Sequence, residues 1–439
     1  MLSHEDNELL TRVGQDAPMG GLMRQYWMPI LLEADLPEAG GLPLRVRLLG
    51  EDLLLYMSPK RDLGLVGPHC PHRGASLYYG RNEECGLRCV YHGWQFDTAG
   101  NCVDLPNDAR GNVMKTRIKH IAYPCRLKGG LVWAYLGEQN PPPEMPDFEW
   151  LGLPKEQVHL SIRIQCCNWL QALEGEIDSS HAGFLHSRVD GHGANPWDIY
   201  SENYGSPVFE VEPSSAGLQI AARRDAGPND YYWRINQFMM PFWTVVPPSG
   251  PEPDINGHAW VPMDDEHTLC VMYSYKPSEA YSERRLKLYK EGARGRQSGH
   301  LSQDGALPFD PRRPFGMYWP QYNSSNDYGI DVEVQKTKYF SGMAGLWVQD
   351  AGLQESMGSI ADRTQEHLCS GDIGIIQVRR LLKQTALQLK KGEGVHPTVN
   401  SPAAYRRRSV GIVLPRNVSW QEGAARHLTT EGDLAYLNS

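Results

Sequence analysis

Residues 69–97 read HCPHRGASLYYGRNEECGLRCVYHGWQFD. One residue separates Cys70 from His72, two separate Cys89 from His92, and sixteen lie between the halves. Two thiolates and two imidazoles suit a [2Fe–2S] centre in which a pair of histidines replaces a pair of cysteines on one iron. Neutral imidazoles leave such a cluster less negative and raise its potential. The alternative is a zinc site with two cysteine and two histidine ligands. Zinc fingers usually keep cysteine with cysteine and histidine with histidine. Here the order is interleaved, and Gly74 and Gly93 follow the two halves, which favours the two-iron reading.

The flanking sequence sets this motif in a small antiparallel domain. Arg45–Leu49 and Asp52–Tyr56 alternate with period two, and strands separated by glycine turns continue to about Leu136. Before them, Leu9, Leu10 and Val13, then Met19, Leu22, Met23 and Trp27, predict two short helices around a turn at Pro18–Gly21. The run Asn140-Pro141-Pro142-Pro143-Glu144-Met145-Pro146 is a stiff linker. The division expected is helices over 1–26, the cluster domain over 27–140 and a second domain over 147–439. In that second domain Val158–Cys167, Gly217–Arg224, Tyr231–Val246 and His267–Tyr275 read as strands. The 170s, 279–297, Asp350–Leu368 and Asp372–Gln388 read as helices, 279–297 as a solvated charged face. Residues 188–206 form a long loop of the kind that covers sites. The tail from Pro397 reads as irregular. The fold class is therefore α+β: an antiparallel β domain, then a helix-grip-like domain whose antiparallel sheet is packed by helices.

Composition excludes several roles. The chain has 439 residues and a net charge of −9 without a long basic run, so nucleic-acid binding is not indicated. The N-terminus is polar and acidic, unlike a signal peptide, and no apolar run approaches a membrane span. A cytoplasmic protein is expected. Nine scattered cysteines favour metal ligation and buried thiols over a disulfide framework.

A second stretch, Glu174–His186, reads EGEIDSSHAGFLH. If helical, Asp178 and His181 share a face. His181 and His186 lie roughly 140° apart around a helix, so they meet at one metal only if it breaks between them. Gly183 allows that. Two histidines and one carboxylate with open positions form the ligand set of O2-activating non-haem iron(II). The alternative is a pair of ordinary, partly buried histidines. Glu174 and Glu176 read as helix charges.

Together these stretches resemble the α subunit of Rieske non-haem iron aromatic-ring oxygenases. CPHRGASL and CVYHGWQFD look like its Rieske domain. NWLQALEGEIDSSHAGFLHS (168–187) and QDAGLQESMGSIADRTQEHL (349–368) look closest to the phthalate-dioxygenase-type branch. In respiratory-type Rieske proteins each cluster loop carries an additional, disulfide-forming cysteine. Ala75 and Tyr91 occupy those positions here, and Cys85 and Cys102 match no ligand position. The resemblance implies cluster ligands Cys70, His72, Cys89 and His92, and mononuclear Fe(II) on His181, His186 and a later carboxylate. Asp350 fits best, expected to open a helix after a strand-like approach over Tyr339–Gln349; Asp362 and Asp372 are the alternatives. It also implies that Asp178 links His181 to the cluster histidine His92 of an adjacent subunit in a homotrimer or stacked trimers. The expected partners are O2, an aromatic acid, and an NAD(P)H-dependent reductase with or without a ferredoxin. The expected reaction is phthalate-like cis-dihydroxylation, with O-demethylation of a methoxylated aromatic acid as the alternative and a quaternary amine or other non-aromatic substrate behind it. Phe242, Trp243 and Trp347 are candidate pocket walls. Arg223, Arg224 and Arg234 are candidate contacts for a substrate carboxylate. Adjacent strand residues face opposite ways, so at most one of Arg223 and Arg224 points inward.

Overall fold

The computed structural model describes residues 1–109, 113–191, 200, 206–247, 254–291 and 305–432. Period-two alternation over 44–57 folds as a hairpin. Leu44–Leu48 pairs with Glu51–Met57 across Leu49 and Gly50, both at positive φ (48° and 80°), the geometry of a two-residue turn matched to strand twist. Leu63–Val66 and Ala122–Tyr123 complete that sheet. A second four-stranded sheet, Arg81–Glu83, Gly86–Arg88, Gln95–Phe96 and Cys102–Asp104, sits between and beside the two Cys/His loops. A third joins Trp27–Leu32, Leu131–Tyr135 and Cys125–Lys128. All pairings are antiparallel.

The rest of the chain is built on an eight-stranded antiparallel sheet. Its order is Val158–Gln165, Thr268–Tyr275, Ile255–Pro262, Trp243–Val246, Asp230–Met239, Gly217–Asp225 and Val208–Pro213, with Val410–Pro415 paired to Asp230–Met239. Helix Trp169–Ile177 lies across the central strands. Its first turn is capped by Asn168, whose side chain accepts from Leu170 N at 3.1 Å. Helix Ile373–Lys390 packs on the N-terminal helices and on the sheet edge. The helix-grip-like arrangement expected from the sequence is the one observed.

The two sheet faces have different tasks. On one face Trp243 stacks on Trp133 of the three-stranded sheet, with ring centroids 5.8 Å apart, and Trp133 on Trp150 at 6.3 Å. Phe148 and Tyr273 close the same cluster, so the cores of the two halves are continuous. The other face carries Arg163, Arg224, Arg234, Asn236 and His258 and meets the helix that begins at Trp169.

Several expected elements differ. Pro18 opens the second helix, Pro18–Met23, instead of making the turn before it; proline suits a first helical position because its missing N–H has no partner to lose there. Tyr231–Val246 is two strands joined by a turn at 240–242. Val208–Pro213, Ile255–Pro262 and Val410–Pro415 are strands that sequence reading missed. No strand forms over Tyr339–Gln349. Helix Leu346–Ser356 ends well before Leu368, because Gly358 takes φ +93° just beyond it. Of the charged run 279–297, Glu283–Glu291 is helical and the remainder lies outside the described residues, as do 192–199 and 201–205 of the expected covering loop. Among the described residues no helix is long and apolar enough to cross a membrane.

Candidate metal centres

The two Cys/His loops fold alike. Cys70 N donates to Ala75 O (2.8 Å) and Gly74 N to Cys70 O (2.9 Å). In the second loop Cys89 N donates to Trp94 O (2.8 Å) and Gly93 N to Cys89 O (2.9 Å). Both closures need a left-handed residue, and Gly74 and Gly93 take φ +76° and +81°. At Gly93 a Cβ would also stand 2.5 Å from Pro106 Cγ.

The thiols of Cys70 and Cys89 are buried, and the rings of His72 and His92 lie further out, 4.6 Å apart edge to face. His72 stacks flat on Trp94 at 4.4 Å, and Tyr91 lies 3.9 Å from His92. Burial pushes the Cys70 thiol up to about 11, with Cys89 beside it adding to the push; a metal there would draw the thiolate form. Burial, then His92, hold His72 below its ordinary value, the neutral form a ligand needs. A buried sulfur pair facing a more exposed imidazole pair fits a two-iron cluster bound asymmetrically. Cys85 is exposed and Cys102 donates to Asp104 O, so neither joins the four.

The second centre is made by a chain break. The helix stops at Ile177 because Asp178 turns to extended backbone (φ −82°, ψ 111°). Its carboxylate then accepts from Ser180 N (2.6 Å) and His181 N (3.2 Å), starting the short 3-10 turn His181–Gly183. The main break is thus at Asp178, ahead of both histidines; Gly183 only ends the following turn.

His181 Nε2 and His186 Nε2 come to 3.2 Å, and Asp350 Oδ1 stands 3.5 Å and 3.3 Å from them. Three donors at right angles about an ion, with bonds of about 2.1 Å, stand about 3.0 Å apart. The observed triangle is that size to within about half an ångström. The three side chains stay 16–26% exposed, so among the described residues one side of the triangle is left uncovered. Burial disfavours the charged carboxylate, yet His186 and His181 hold Asp350 well below the usual range. Burial likewise pulls His181 down, but Asp178 and Asp350 outweigh it and raise it to about 10. The site calls for positive charge at its centre, which a metal ion supplies.

Each imidazole has an oxygen at its far nitrogen. Asp178 Oδ2 lies 3.4 Å from His181 Nδ1, and Gln349 Oε1 lies 2.7 Å from His186 Nδ1. The Gln349 amide is itself fixed by donating to Met343 O at 2.9 Å. The Gln349 contact keeps the His186 proton on Nδ1 and presents its Nε2 to a metal, and the Asp178 carboxylate stands on the corresponding side of His181. Gln349→Leu is expected to weaken Fe(II) binding about 10- to 100-fold, read by chelator competition; unchanged affinity would mean that the His186 tautomer is set elsewhere.

Asp350 sits in the second turn of its helix, not at its opening. Asp362 and Asp372 are spent on local turns, accepting from Thr364 and from Cys369 N. Arg224 and Arg234 lie on the sheet face toward the metal triangle, and Arg224 donates to Ser179 O at 2.6 Å. Arg223 is corrected to the opposite face, its guanidinium 4.4 Å above the Tyr231 ring. Trp243 is corrected from pocket wall to the buried core between the two halves, and its neighbour Phe242 is buried as well. Trp347, one turn before Asp350, is buried under the Arg163 guanidinium at 5.4 Å. The sequence reading took Glu176 for a helix charge and missed Asn236 and His258. Glu176 Oε1 accepts from His258 Nδ1 at 2.8 Å, and Glu176 O accepts from Asn236 Nδ2 at 3.2 Å.

The comparisons with known proteins agree with this geometry. Residues 26–121 match the family model of the Rieske [2Fe-2S] domain and 134–437 the model described as LigXa C-terminal domain like. The chain is 38% identical over 425 residues to the 3-chlorobenzoate-3,4-dioxygenase oxygenase subunit of Comamonas testosteroni, covering 95% of this chain and 96% of that one. It is 34% identical over 442 residues to the phthalate 4,5-dioxygenase oxygenase subunit of Pseudomonas putida, covering 98% and 96%. The 5,5'-dehydrodivanillate O-demethylase oxygenase subunit of Sphingobium sp. (strain NBRC 103272 / SYK-6) is 29% identical over 410 residues, covering 92% and 85%. Among solved structures, Pseudomonas putida CBB5 NdmB superposes with a TM-score of 0.58 at 17% identity, covering 89% of this chain and 97% of that one, a likeness of fold. With a Rieske [2Fe–2S] domain ahead of a catalytic domain of the mononuclear-iron type, this chain belongs to the Rieske non-haem iron oxygenases, among the phthalate-type oxygenase subunits.

Proposed function

We propose that this chain is the terminal oxygenase component of a multicomponent system that oxidises an aromatic carboxylic acid by phthalate-like cis-dihydroxylation. It uses O2 and electrons delivered from NAD(P)H by a reductase, with or without a separate ferredoxin. Cys70, His72, Cys89 and His92 hold the [2Fe–2S] cluster, and His181, His186 and Asp350 hold Fe(II). The observation that carries this reading is the open side of the His181/His186/Asp350 triangle together with two buried guanidiniums, Arg224 and Arg234, on the sheet face toward it. Burial pulls Arg224 down to about 10 and Arg234 below its ordinary value, so a carboxylate placed between them relieves both. Both remain cations at neutral pH and suit a planar anion.

When bound, the cluster supplies single electrons and the iron supplies adjacent open positions for O2. The protein's own part is orientation. Arg224 and Arg234 fix the acid end of the substrate, and Gln349 holds the His186 ring. Asp178 holds His181 with one edge of its carboxylate, and we assign to it a second contact, with His92 of the partner subunit. Partly exposed His72 and His92, beside Val90 and Tyr91 at 59% and 58% exposure, suit such a contact in a head-to-tail trimer or stacked trimers.

A second reading, O-demethylation of a methoxylated aromatic acid, is favoured by the similarity to the O-demethylase subunit. One experiment separates the two. Reduced, desalted holoprotein is given ¹⁸O2 and a panel of phthalates and methoxybenzoates in a single turnover. Ring dihydroxylation is expected, seen as a product that gains two labelled oxygens. A product lacking a methyl group, with formaldehyde released, establishes the second reading. No reaction across the panel with both metal centres loaded overturns the aromatic-acid assignment.

A further inference from the structure

His258 and Asn236 stand out among the buried polar groups that the metal centres do not use. Both are over nine-tenths buried, at 6% and 1% exposure. His258 Nδ1 lies 2.8 Å from Glu176 Oε1, and its ring stacks on Trp260 at 5.1 Å. Trp260 is pinned in turn by donating to Thr244 Oγ1 at 3.0 Å. Asn236 Nδ2 is engaged by Glu176 O. Among the described residues this leaves His258 Nε2 and Asn236 Oδ1 buried without a hydrogen-bond partner. Both stem from the sheet face toward the metal triangle and both are tied to Glu176, two residues before Asp178. Glu176 is also within electrostatic reach of Asp350. Leaving a buried polar atom unpaired is costly, and two such atoms clamped from behind by one residue form a prepared contact.

The two contacts with Glu176 fix their sense. With Glu176 accepting from Nδ1–H at 2.8 Å, the tautomer that this contact selects presents the Nε2 lone pair. Asn236 Oδ1 is likewise an acceptor.

We infer that His258 Nε2 and Asn236 Oδ1 form an acceptor subsite for a hydrogen-bond-donating ring substituent, so that the substrate is an aromatic acid bearing a hydroxyl or amino group. The inference deepens the aromatic-acid reading and rests on it for the carboxylate. Arg224 and Arg234 take the acid, and His258, positioned by Glu176, selects the protic group. A site built to pair with a hydroxyl discriminates against the analogue lacking it, because its own buried atoms are then left unpaired.

The test is calorimetric titration of the holoprotein with matched hydroxy- and methylbenzoates, substituted at the 2, 3 or 4 position. The two groups are similar in size and differ in donating ability. At one ring position the hydroxy acid is expected to bind about 10- to 100-fold more tightly than the methyl acid. His258→Phe should bring that ratio to near one while leaving the methyl acid's affinity within a few fold, and His258→Gln, which keeps an acceptor, should restore part of it. A ratio near one in the unmodified protein, or an equal loss for both acids in His258→Phe, overturns the inference. If none of the six acids binds, the aromatic-acid reading fails, and phenol against toluene then tests the subsite alone. A phenol preference abolished by His258→Phe retains it; no preference overturns it.

Discussion

Asp178→Asn is expected to keep the [2Fe–2S] cluster and nearly all of the mononuclear iron, yet to lower turnover about 100-fold. Asp178 is not one of the three donors around the metal position. It sits behind His181, with Oδ2 3.4 Å from Nδ1, while Oδ1 caps Ser180 N at 2.6 Å. The carboxylate has two oxygens and four acceptor directions, enough to hold the local turn, His181 and a second imidazole together. An amide has one oxygen. It can preserve the turn or accept from a ring N–H, but its NH2 group cannot accept from the second imidazole. The charge is lost as well, and with it a contributor to the raised proton affinity of His181. The role assigned to Asp178 is therefore checked by the rate of cluster reoxidation after mixing the reduced variant with substrate and O2, alongside iron content. Slow reoxidation with full iron occupancy supports a path through Asp178. A normal rate would remove Asp178 from the electron path, and loss of iron would recast it as a support for His181 alone.

What the sequence disclosed and what it hid follow from distance along the chain. The four Cys/His positions lie within one local stretch, and their spacing survives any placement of the surrounding strands. His181 and His186 were legible as candidate ligands for the same reason, though the break that unites them lies at Asp178, where the side chain caps the next turn and not where glycine frees the backbone. Asp350 was reached only through resemblance. Nothing local distinguishes it from Asp362 or Asp372 until the fold brings its oxygen within 3.3 Å of His186. Period two established that Arg223 and Arg224 face opposite ways but not which is inward. That choice needed the register that pairs Arg224 with Tyr232. Glu176 and His258 are 82 residues apart, and strand Ile255–Pro262 carries no alternation strong enough to be recognised. The C-terminal strand Val410–Pro415 was read as irregular because it follows a proline-rich, turn-rich segment and pairs with a strand almost two hundred residues earlier.

Glu174→Ala is expected to destabilise the catalytic half by about 3–5 kcal/mol, a larger effect than any other single surface or buried charge in the helix Trp169–Ile177 should give. In the sequence Glu174 has the pattern of an ordinary helix charge. In the fold it is buried and grips two arginines: Arg363 Nη2 at 2.9 Å and Arg379 Nε at 2.6 Å. Arg363 is fully buried and also donates to Asn7 Oδ1 in the first helix, while Arg379 is shared with Glu366. Through Arg363 and Arg379, Glu174 thus ties the helix that leads into the metal centre to the first helix and to helix Ile373–Lys390, one turn ahead of Asp178. Removing it leaves one guanidinium without its main counter-charge in a water-excluded site. Glu366→Ala is the matched control, because Arg379 keeps Glu174, and it should cost only about 1 kcal/mol. The pH dependence has a definite sign. Burial alone would raise the Glu174 carboxyl, but Arg363 and Arg379 outweigh it and hold it below its ordinary value. A carboxyl depressed on folding stabilises fully above the unfolded glutamate range, about pH 4.3, and loses that stabilisation as pH falls through the lower folded-state value. Guanidinium unfolding midpoints of the unmodified protein and Glu174→Ala should therefore differ most at neutral pH and converge in acid. A gap below about 1 kcal/mol at pH 7, within the range of an exposed ion pair, or a gap that widens in acid, would show that the two arginines find other partners and that the helix does not depend on this anchor.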